Sequence, residues 1–206
     1  TFAILVLALP FLGLLTTSLI PAFGVPLSLA TATFANYAYV LFEHAASKRA
    51  FVNSFLMSAG AAIAIVLICV PLGYFIVWKK SRALRLLNLA AELPYAMPGV
   101  VLAIAAILLF LRPIPILNVT LYNTVWIIVF AYLARFLVLG LRPVVSGYLQ
   151  IDRTLEEAAQ IAGAGLPLRL VTIIFPLVAP AAVAGALLVF LTAFNELTVS
   201  ALLWSS

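Results

Sequence analysis

The strongest constraint on the fold of this chain is a series of long apolar runs without charged side chains. The run Phe55–Trp78 is 24 residues long, and Lys79 and Lys80 follow it directly. A bilayer core about 30 Å thick requires about 20 apolar residues in a helix. Because helices satisfy their own backbone polar groups inside lipid, runs of this length predict an all-α polytopic membrane protein.

The composition excludes most classes of soluble protein. Only 8% of the 206 residues are charged and 67% are hydrophobic, whereas soluble domains contain about 25% charged residues. Such a chain has too little polar surface to cover a globule in water, so it is not a soluble enzyme, a disordered chain or a nucleic-acid binder. The single cysteine, Cys69, lies within an apolar run and provides neither a disulfide framework nor a cysteine-based metal site.

Charged residues mark the limits of about five predicted spans. The chain opens without an initiator Met or a basic segment, so a signal peptide is not favoured. The odd number of spans, in a chain that looks cut at both ends, predicts at least one further span beyond Ser206. The five predicted spans are Thr1 to about Ile20, Phe55–Trp78, Leu93–Leu111, about Tyr122–Leu141 and Leu170–Asn195.

The distribution of Lys and Arg predicts the orientation, because these residues concentrate in cytoplasmic loops. If the loop Lys79–Arg85 is cytoplasmic, the segment Arg142–Arg169 lies on the same side. Seven Lys and Arg residues then lie inside, against three outside, and Arg135 is left within the membrane. Pro21–Asn53 becomes a long external loop, and its aromatic stretch Phe34–Phe42 is suited to the membrane interface.

The polar segment before the fifth span has a helical pattern of its own. Thr154 and Glu157 fit a capping box, in which each side chain satisfies a backbone N–H at the start of a helix. Gly163 is suited to the left-handed turn that ends a helix. From these residues alone, a connecting helix and a helix that docks on a partner are equally supported. The residues at helical spacing on one face are Leu155, Ala158, Ala159 and Ala162.

The spacing of this segment resembles the EAA loop of ABC-importer permeases. The family pattern is Glu-Ala-Ala, three residues, Gly, nine residues, Ile, one residue and Leu-Pro. Six of its seven fixed positions match, and Phe175 replaces the Leu. The matching residues are Glu157, Ala158, Ala159, Gly163, Ile173 and Pro176.

The resemblance extends over about residues 53–204. It includes Asn53-Ser54 at the head of a span, Pro94 and Pro98-Gly99 at the third span, and Asp152 with Glu156 before the Glu-Ala-Ala residues. The stretch Asn195–Trp204 is similar to the permeases of ferric-iron, thiamine and phosphonate importers. The resemblance implies a type I permease domain over residues 53–206, truncated at its C-terminus, with the EAA loop at 152–176. Residues 1–52 would add a span and an external loop.

The resemblance also implies roles for single residues. The loop helix would be the coupling helix that docks in a cleft of a cytoplasmic ATPase. Glu157 would be a polar contact or a helix cap, Ala158 and Ala159 a close-packing face, and Gly163 a turn. Ile173 and Pro176 would fix the angle between the coupling helix and the fifth span.

The implied partners are the ATPase, an external substrate-binding protein and a second permease domain or copy in the inner membrane of a bacterium. No cofactor is expected in this chain, because ATP and Mg²⁺ would be bound by the ATPase. The chain's three lysines do not follow glycine, so it lacks a phosphate-binding loop. The small-residue step from Ala181 to Gly185 is expected to contact the second permease half. Ferric iron is the expected substrate.

Ionisable and polar residues near the membrane are candidates for the pathway or a gate. Arg135 is expected to pair with Glu92, to cap loop carbonyls near the inner surface, or to extend to the interface as an anchor. Asn195 and Glu196 end the fifth span, where Glu196 would gate the path, face the binding protein or simply be solvated. His44 is interpreted as a surface residue rather than a metal ligand.

Two other functional classes are compatible with an all-helical, charge-poor chain. An ATP-independent secondary transporter or channel would not need an EAA loop. A membrane-embedded enzyme would need paired histidines or carboxylates near one interface, and this chain has one histidine.

Overall fold

The computed structural model describes residues 2–79, 82–113 and 118–204, and the regular secondary structure within them is entirely helical. The all-α polytopic fold class is therefore confirmed. The chain forms two compact units, Thr1–Ser54 and Phe55–Ser206. The helices are α1 (Phe2–Ser18), α2 (Ala35–Ala38), α3 (Ala45–Tyr74), α4 (Arg82–Ala90), α5 (Leu93–Ala96), α6 (Gly99–Phe110), α7 (Val125–Gln150), α8 (Thr154–Ile161), α9 (Leu166–Arg169), α10 (Phe175–Phe194) and α11 (Thr198–Leu203).

The unit Thr1–Ser54 contains α1, α2 and the start of α3. The amide of Asn36 donates to the carbonyls of Ser18 (3.1 Å) and Ile20 (2.8 Å), so it satisfies backbone groups at the end of α1. A π-helical turn, Tyr39–Glu43, continues α2. His44 lies just before α3, where its Nδ1 is 2.7 Å from the hydroxyl of Ser47. Its ring therefore interacts with the first turn of α3.

Three of the five predicted spans form helices that are long and apolar enough to cross a bilayer. They are Ala45–Lys79, Val125–Gln150 and Leu166–Phe194, each including its π-helical part where one is present. The first begins ten residues earlier than predicted, so Lys48 and Arg49 lie in its opening turns and the loop predicted to be external is shorter. At 1.5 Å per residue its 35 residues extend about 52 Å, which lets these turns project beyond an apolar core of about 30 Å.

The third predicted span is corrected, whereas the first stays a prediction. Helix α1 covers Phe2–Ser18, and its described side chains, Leu5–Ser18, form an apolar helix. Leu93–Leu111 is not one helix, because α4–α5 and α6 are bent by 111° at a break between Ala96 and Gly99. Met97 is extended (φ −76°, ψ 142°) because it precedes Pro98, whose ring disfavours a helical conformation at the residue before it.

Helices α7 and α10 pack closely, because glycines allow their backbones to approach. A Cβ at Gly185 would lie 3.0 Å from the carbonyl oxygen of Gly140, and one at Gly147 would lie 2.7 Å from the Cβ of Ala181. The small-residue step from Ala181 to Gly185 was expected to contact a second permease half. It serves instead the contact between α10 and α7 within this chain.

The ends of α3 and α8 lie together. The hydroxyl of Tyr74, the last residue of α3, is 3.0 Å from the carboxylate of Glu156 on α8. The charged region that follows α3 and the polar segment around α8 are therefore at the same end of the unit, as the charge distribution predicts. Lys80 and Ser81 lie outside the described residues.

Candidate functional site

Helix α8 presents most of its surface to the surroundings. Glu157, Ala158 and Ala162 are exposed, whereas Ala159 is half-buried. Ile161 is 88% exposed. The predicted alanine face therefore exists at helical spacing, and most of it is accessible to another protein.

The start of α8 differs from the predicted capping box. No side-chain cap is formed by Thr154, and helix α8 is preceded by Arg153 in a helical conformation. Oδ1 of Asp152 accepts the backbone N–H of Thr154 at 3.0 Å and replaces the Glu157 carboxylate, which accepts this N–H in a capping box. This hydrogen bond, with a further one from the Thr154 hydroxyl, holds the pKa of Asp152 below its usual value. Glu157 points along the helix and pairs with Arg153 at 3.2 Å.

The end of α8 has the predicted left-handed glycine. Gly163 has φ +83° and follows the cap residue Ala162. Its N–H donates to the carbonyl of Gln160, and the N–H of Ala164 donates to the carbonyl of Ala159, both at 3.0 Å. These two bonds form a Schellman motif, which turns the chain sharply out of the helix. A side chain at Gly163 would be strained because L-residues disfavour this φ value.

The turn after α8 leads directly into the third long span. Helix α9 continues through a π-helical segment, Leu170–Ile174, into α10. Ile173 is half-buried and packs against the core, while Pro176 lies in the first turn of α10 and is exposed. Pro176 has no N–H to donate to the preceding turn, and the segment directly before α10 is π-helical and not α-helical. Both residues lie at the junction between the π-helical segment and α10.

Sequence reasoning missed the buried carboxylate of α8. Glu156 is 5% exposed and pairs with Arg169, which is 9% exposed. Its Oε1 also accepts the hydroxyl of Tyr74. Helical spacing alone does not indicate which of the neighbouring carboxylates Glu156 and Glu157 turns inward. The opposite charge of Arg169, thirteen positions later, is the one signal in the sequence.

A second charged site lies inside the bundle, where Arg135 contacts the break between α5 and α6. Its Nη1 donates to the carbonyl of Met97 at 2.8 Å, and its Nε lies 3.4 Å from Oε2 of Glu196. The two side chains are 15% and 12% exposed. The expectation that Arg135 caps loop carbonyls near the inner surface is corrected, because the carbonyl that it contacts belongs to Met97 in the break between α5 and α6. Pairing with Glu92 and extension to the interface are wrong, because Glu196 supplies a nearer carboxylate within the bundle.

Arg135 is also further from the inner end than predicted. It lies ten residues after Val125 and fifteen before Gln150, which corresponds to about 15 Å and about 22 Å along the helix. The carbonyl that it caps belongs to a helix break within the bundle and not to a loop at the inner surface.

Glu196 connects the end of α10 to α11. Its Oε1 accepts the N–H of Val199 at 3.1 Å in the first turn of α11. The hydroxyl of Tyr132 on α7 lies 2.6 Å from the hydroxyl of Ser200 on α11. A Cβ at Gly99 would lie 3.2 Å from Oε1 of Glu196. Helices α6, α7 and α11 therefore meet around this carboxylate, which the sequence placed at a solvated or gating helix end.

Glu92 and Asn195 have more peripheral positions. Glu92 pairs with Arg142 at 3.0 Å, with side chains 45% and 65% exposed. Asn195 is exposed, and its amide donates to the carbonyl of Leu191 at 2.8 Å, which satisfies the end of α10. Of the four candidate pathway residues, the structure brings only Arg135 and Glu196 together.

The comparisons with known proteins agree on one family. Residues 69–206 match the family described as binding-protein-dependent transport system inner membrane component. A probable ABC transporter permease protein y4fN from Sinorhizobium fredii is 36% identical over 177 residues, which cover 84% of this chain and 30% of that protein.

Two further relatives carry substrate names. The Fe(3+)-transport system permease protein FbpB 2 of Haemophilus influenzae is 29% identical over 161 residues, 76% of this chain and 30% of that protein. The trehalose/maltose transport system permease protein MalG of Thermococcus litoralis is 47% identical over 74 residues, 36% of this chain and 27% of that protein. The chain thus spans about a third or less of the length of these three relatives.

Proposed function

Because this chain belongs to the family of binding-protein-dependent transport system inner membrane components, a type I ABC importer permease of the inner membrane, we propose that it forms half of a translocation pathway driven by a cytoplasmic ATPase. The other half is a second copy or a related domain, and an external binding protein delivers the substrate. ATP and Mg²⁺ are bound by the ATPase. The chain itself acts as a transport component and not as an enzyme.

The observation that carries the proposal is the exposed helix α8. It is short, it carries the exposed small side chains of Ala158 and Ala162 beside the half-buried Ala159, and it ends in a tight turn at Gly163. A face of small side chains lets another protein's backbone approach closely. Helix α8 contacts α9 and the π-helical segment that leads into α10. A force on α8 is therefore applied directly at the foot of a membrane span.

Within this mechanism, Glu157 makes a polar contact with the ATPase, Ala158 and Ala159 pack closely against it, and Gly163 turns the chain. Ile173 and Pro176 fix the angle of the span. ATPase closure then rocks the span between two states, as alternating access requires.

We propose Arg135 and Glu196 as gate residues, with Glu92 and Asn195 at the edges of the pathway. The support is the buried ion pair at the break between α5 and α6. Ionisable residues inside a membrane domain usually face the bundle interior and mark a substrate path. Replacing Glu196 with Gln should change uptake while leaving ATPase association intact, and normal uptake would remove Glu196 from the gate.

Ferric iron is the proposed substrate. A relative named for Fe(3+) transport aligns over 76% of this chain, whereas the relative named for trehalose and maltose aligns over 36%. Uptake of radioactive ferric iron by cells that express the complete transporter should exceed that of cells without it. Uptake of labelled maltose in place of iron would overturn the substrate assignment.

The coupling role is tested with Ala159→Trp and Gly163→Leu. The first adds bulk to the docking face, and the second places a side chain on a left-handed turn. Both variants should lose ferric-iron uptake or ATPase association while inserting normally in the membrane. Gln160→Ala is the matched control on a flanking position and should retain both. Full uptake and normal co-purification of the ATPase with Ala159→Trp and Gly163→Leu would contradict the coupling role.

A further inference from the structure

The foot of the permease unit contains a buried polar cluster that none of the roles above uses. Tyr74, Glu156 and Arg169 are 3%, 5% and 9% exposed. Oε1 of Glu156 accepts a hydrogen bond from the hydroxyl of Tyr74, at 3.0 Å, and another from Nη1 of Arg169. One carboxylate oxygen thus joins two partners that are distant in sequence.

The three residues belong to three different helices. Tyr74 is the last residue of α3, Glu156 lies in the first turn of α8, and Arg169 is the last residue of α9. The π-helical segment Leu170–Ile174 connects α9 to α10. The cluster therefore ties the helix proposed to meet the ATPase to the ends of two membrane spans.

Tyr74 is itself held by an aromatic cluster that includes α7. Its ring lies 5.1 Å from that of Trp78, which lies 5.4 Å from that of Tyr148, both in edge contacts. The hydroxyl of Tyr148 donates to the carbonyl of Val70 at 2.7 Å. A Cβ at Gly73 would lie 2.9 Å from the Tyr148 ring, so α3 and α7 are in close contact here. A displacement of Tyr74 is therefore passed on to α7.

The burial of Glu156 restricts the contacts that its carboxylate can make. An unpaired carboxylate in this environment is strongly unfavourable, so Glu156 is confined to positions where it contacts Arg169 and Tyr74. The neighbouring pair of Arg153 and Glu157 is 58% and 52% exposed and can be replaced by water at little cost. Of the two carboxylates, Glu156 is the one that fixes the position of α8.

We propose that Glu156, held by Arg169 and Tyr74, is a positioning residue that makes α8 move as one body with the ends of α3 and α10. ATPase-driven movement of α8 then reaches α3 and, through the aromatic cluster, α7, as well as the span that follows α8 in sequence. This inference rests on the proposed function, in which α8 docks on the ATPase.

The first test measures a distance within the chain and needs no substrate. Spin labels are attached to cysteines replacing Gln160 on α8 and Ile68 on α3, which are both exposed, in a background with Cys69→Ala and in the complete transporter. The distribution of distances between the two labels should be narrow, and it should be the same with and without trapped ATP. In Glu156→Gln it should broaden and depend on ATP. Identical distributions with Glu156 and with Glu156→Gln would overturn the proposal.

The second test measures the coupling between transport and ATP hydrolysis. Ferric-iron uptake per ATP hydrolysed, corrected for the amount of permease in the membrane, should fall about tenfold in Glu156→Gln and about threefold in Tyr74→Phe. The first variant removes the charge that pairs with Arg169, whereas the second removes one neutral donor. ATPase association should persist. Tyr74→Phe conserves the ring, so it remains informative if the other variant folds poorly.

Controls separate this proposal from the one on which it rests. Glu43→Gln and Tyr39→Phe make the same chemical changes at exposed positions in residues 1–54 and should leave coupling unchanged. The double variant of Glu156→Gln and Arg169→Gln should couple no worse than either single variant, since neither charge is left unpaired. Additive losses would contradict the pairing. If Ala159→Trp and Gly163→Leu abolish uptake while Glu156→Gln and Tyr74→Phe couple normally, only the positioning role fails.

Discussion

Two Arg–Glu pairs of the permease unit differ in burial. At the start of α8, the pair of Arg153 and Glu157 is 58% and 52% exposed. Where α6, α7 and α11 meet, the pair of Arg135 and Glu196 is 15% and 12% exposed. The same residue types therefore face the surroundings in one pair and the interior of the bundle in the other.

The exposed pair and the buried pair differ in what they contribute to the protein. An exposed ion pair contributes about 0–1 kcal/mol and leaves its side chains available to a partner. A buried pair stays together because each charge is unfavourable without the other. Arg135 uses that constraint to hold the carbonyl of Met97 at a helix break. Glu156 shows that one carboxylate of α8 follows the buried pattern beside an exposed neighbour.

The largest expected effect comes from breaking the buried pair. Arg135→Met leaves Glu196 without its cation and should lower the free energy of unfolding by about 3–5 kcal/mol. Denaturant titration of the purified permease in mixed micelles measures this value. Adding Glu196→Gln to Arg135→Met should recover part of the loss, because the remaining amide carries no charge. An unchanged midpoint in Arg135→Met would show that the pair does not stabilise the bundle.

Removing the exposed pair should have a much smaller effect. Glu157→Ala is expected to change the free energy of unfolding of the permease by less than about 0.5 kcal/mol, since water replaces its contact with Arg153. The same titration, with Glu156→Ala as the buried counterpart, measures the contrast between adjacent carboxylates. Equal losses in the two variants would remove the distinction drawn here between the two kinds of pair.

The sequence predicts the parts of the fold that depend on local patterns. Long apolar runs identify three membrane spans, and Gly163 identifies the end of α8 because its backbone requires a left-handed conformation. The prediction of the third span as one straight helix was wrong, and the reason is also local. Pro94 and Pro98 are visible in the sequence, but hydropathy alone does not show that the chain bends by 111° there.

The site was less predictable because its contacts join distant parts of the chain. Arg135 and Glu196 are 61 positions apart, and Tyr74 and Glu156 are 82 apart. Charge sign and spacing do not choose between Glu92 and Glu196 as the partner of Arg135, since that choice depends on how α6, α7 and α11 pack. The roles of the six residues in the EAA pattern remain predictions.

The smallest expected effect concerns Asp152, which is fully exposed at the start of α8. Hydrogen bonds from Thr154 lower its pKa in the folded protein, so its contribution to stability is complete above the unfolded pKa of about 3.9 and is lost as the pH falls through the lower folded value. Asp152→Asn keeps an acceptor for the Thr154 N–H but cannot titrate. The difference in the free energy of unfolding between the native chain and Asp152→Asn should therefore shrink between about pH 5 and pH 2. Hydrogen exchange of the α8 amides over this range locates the change. A constant difference would show that Asp152 does not stabilise α8 through its charge, and the start of the exposed helix would then depend on backbone contacts alone.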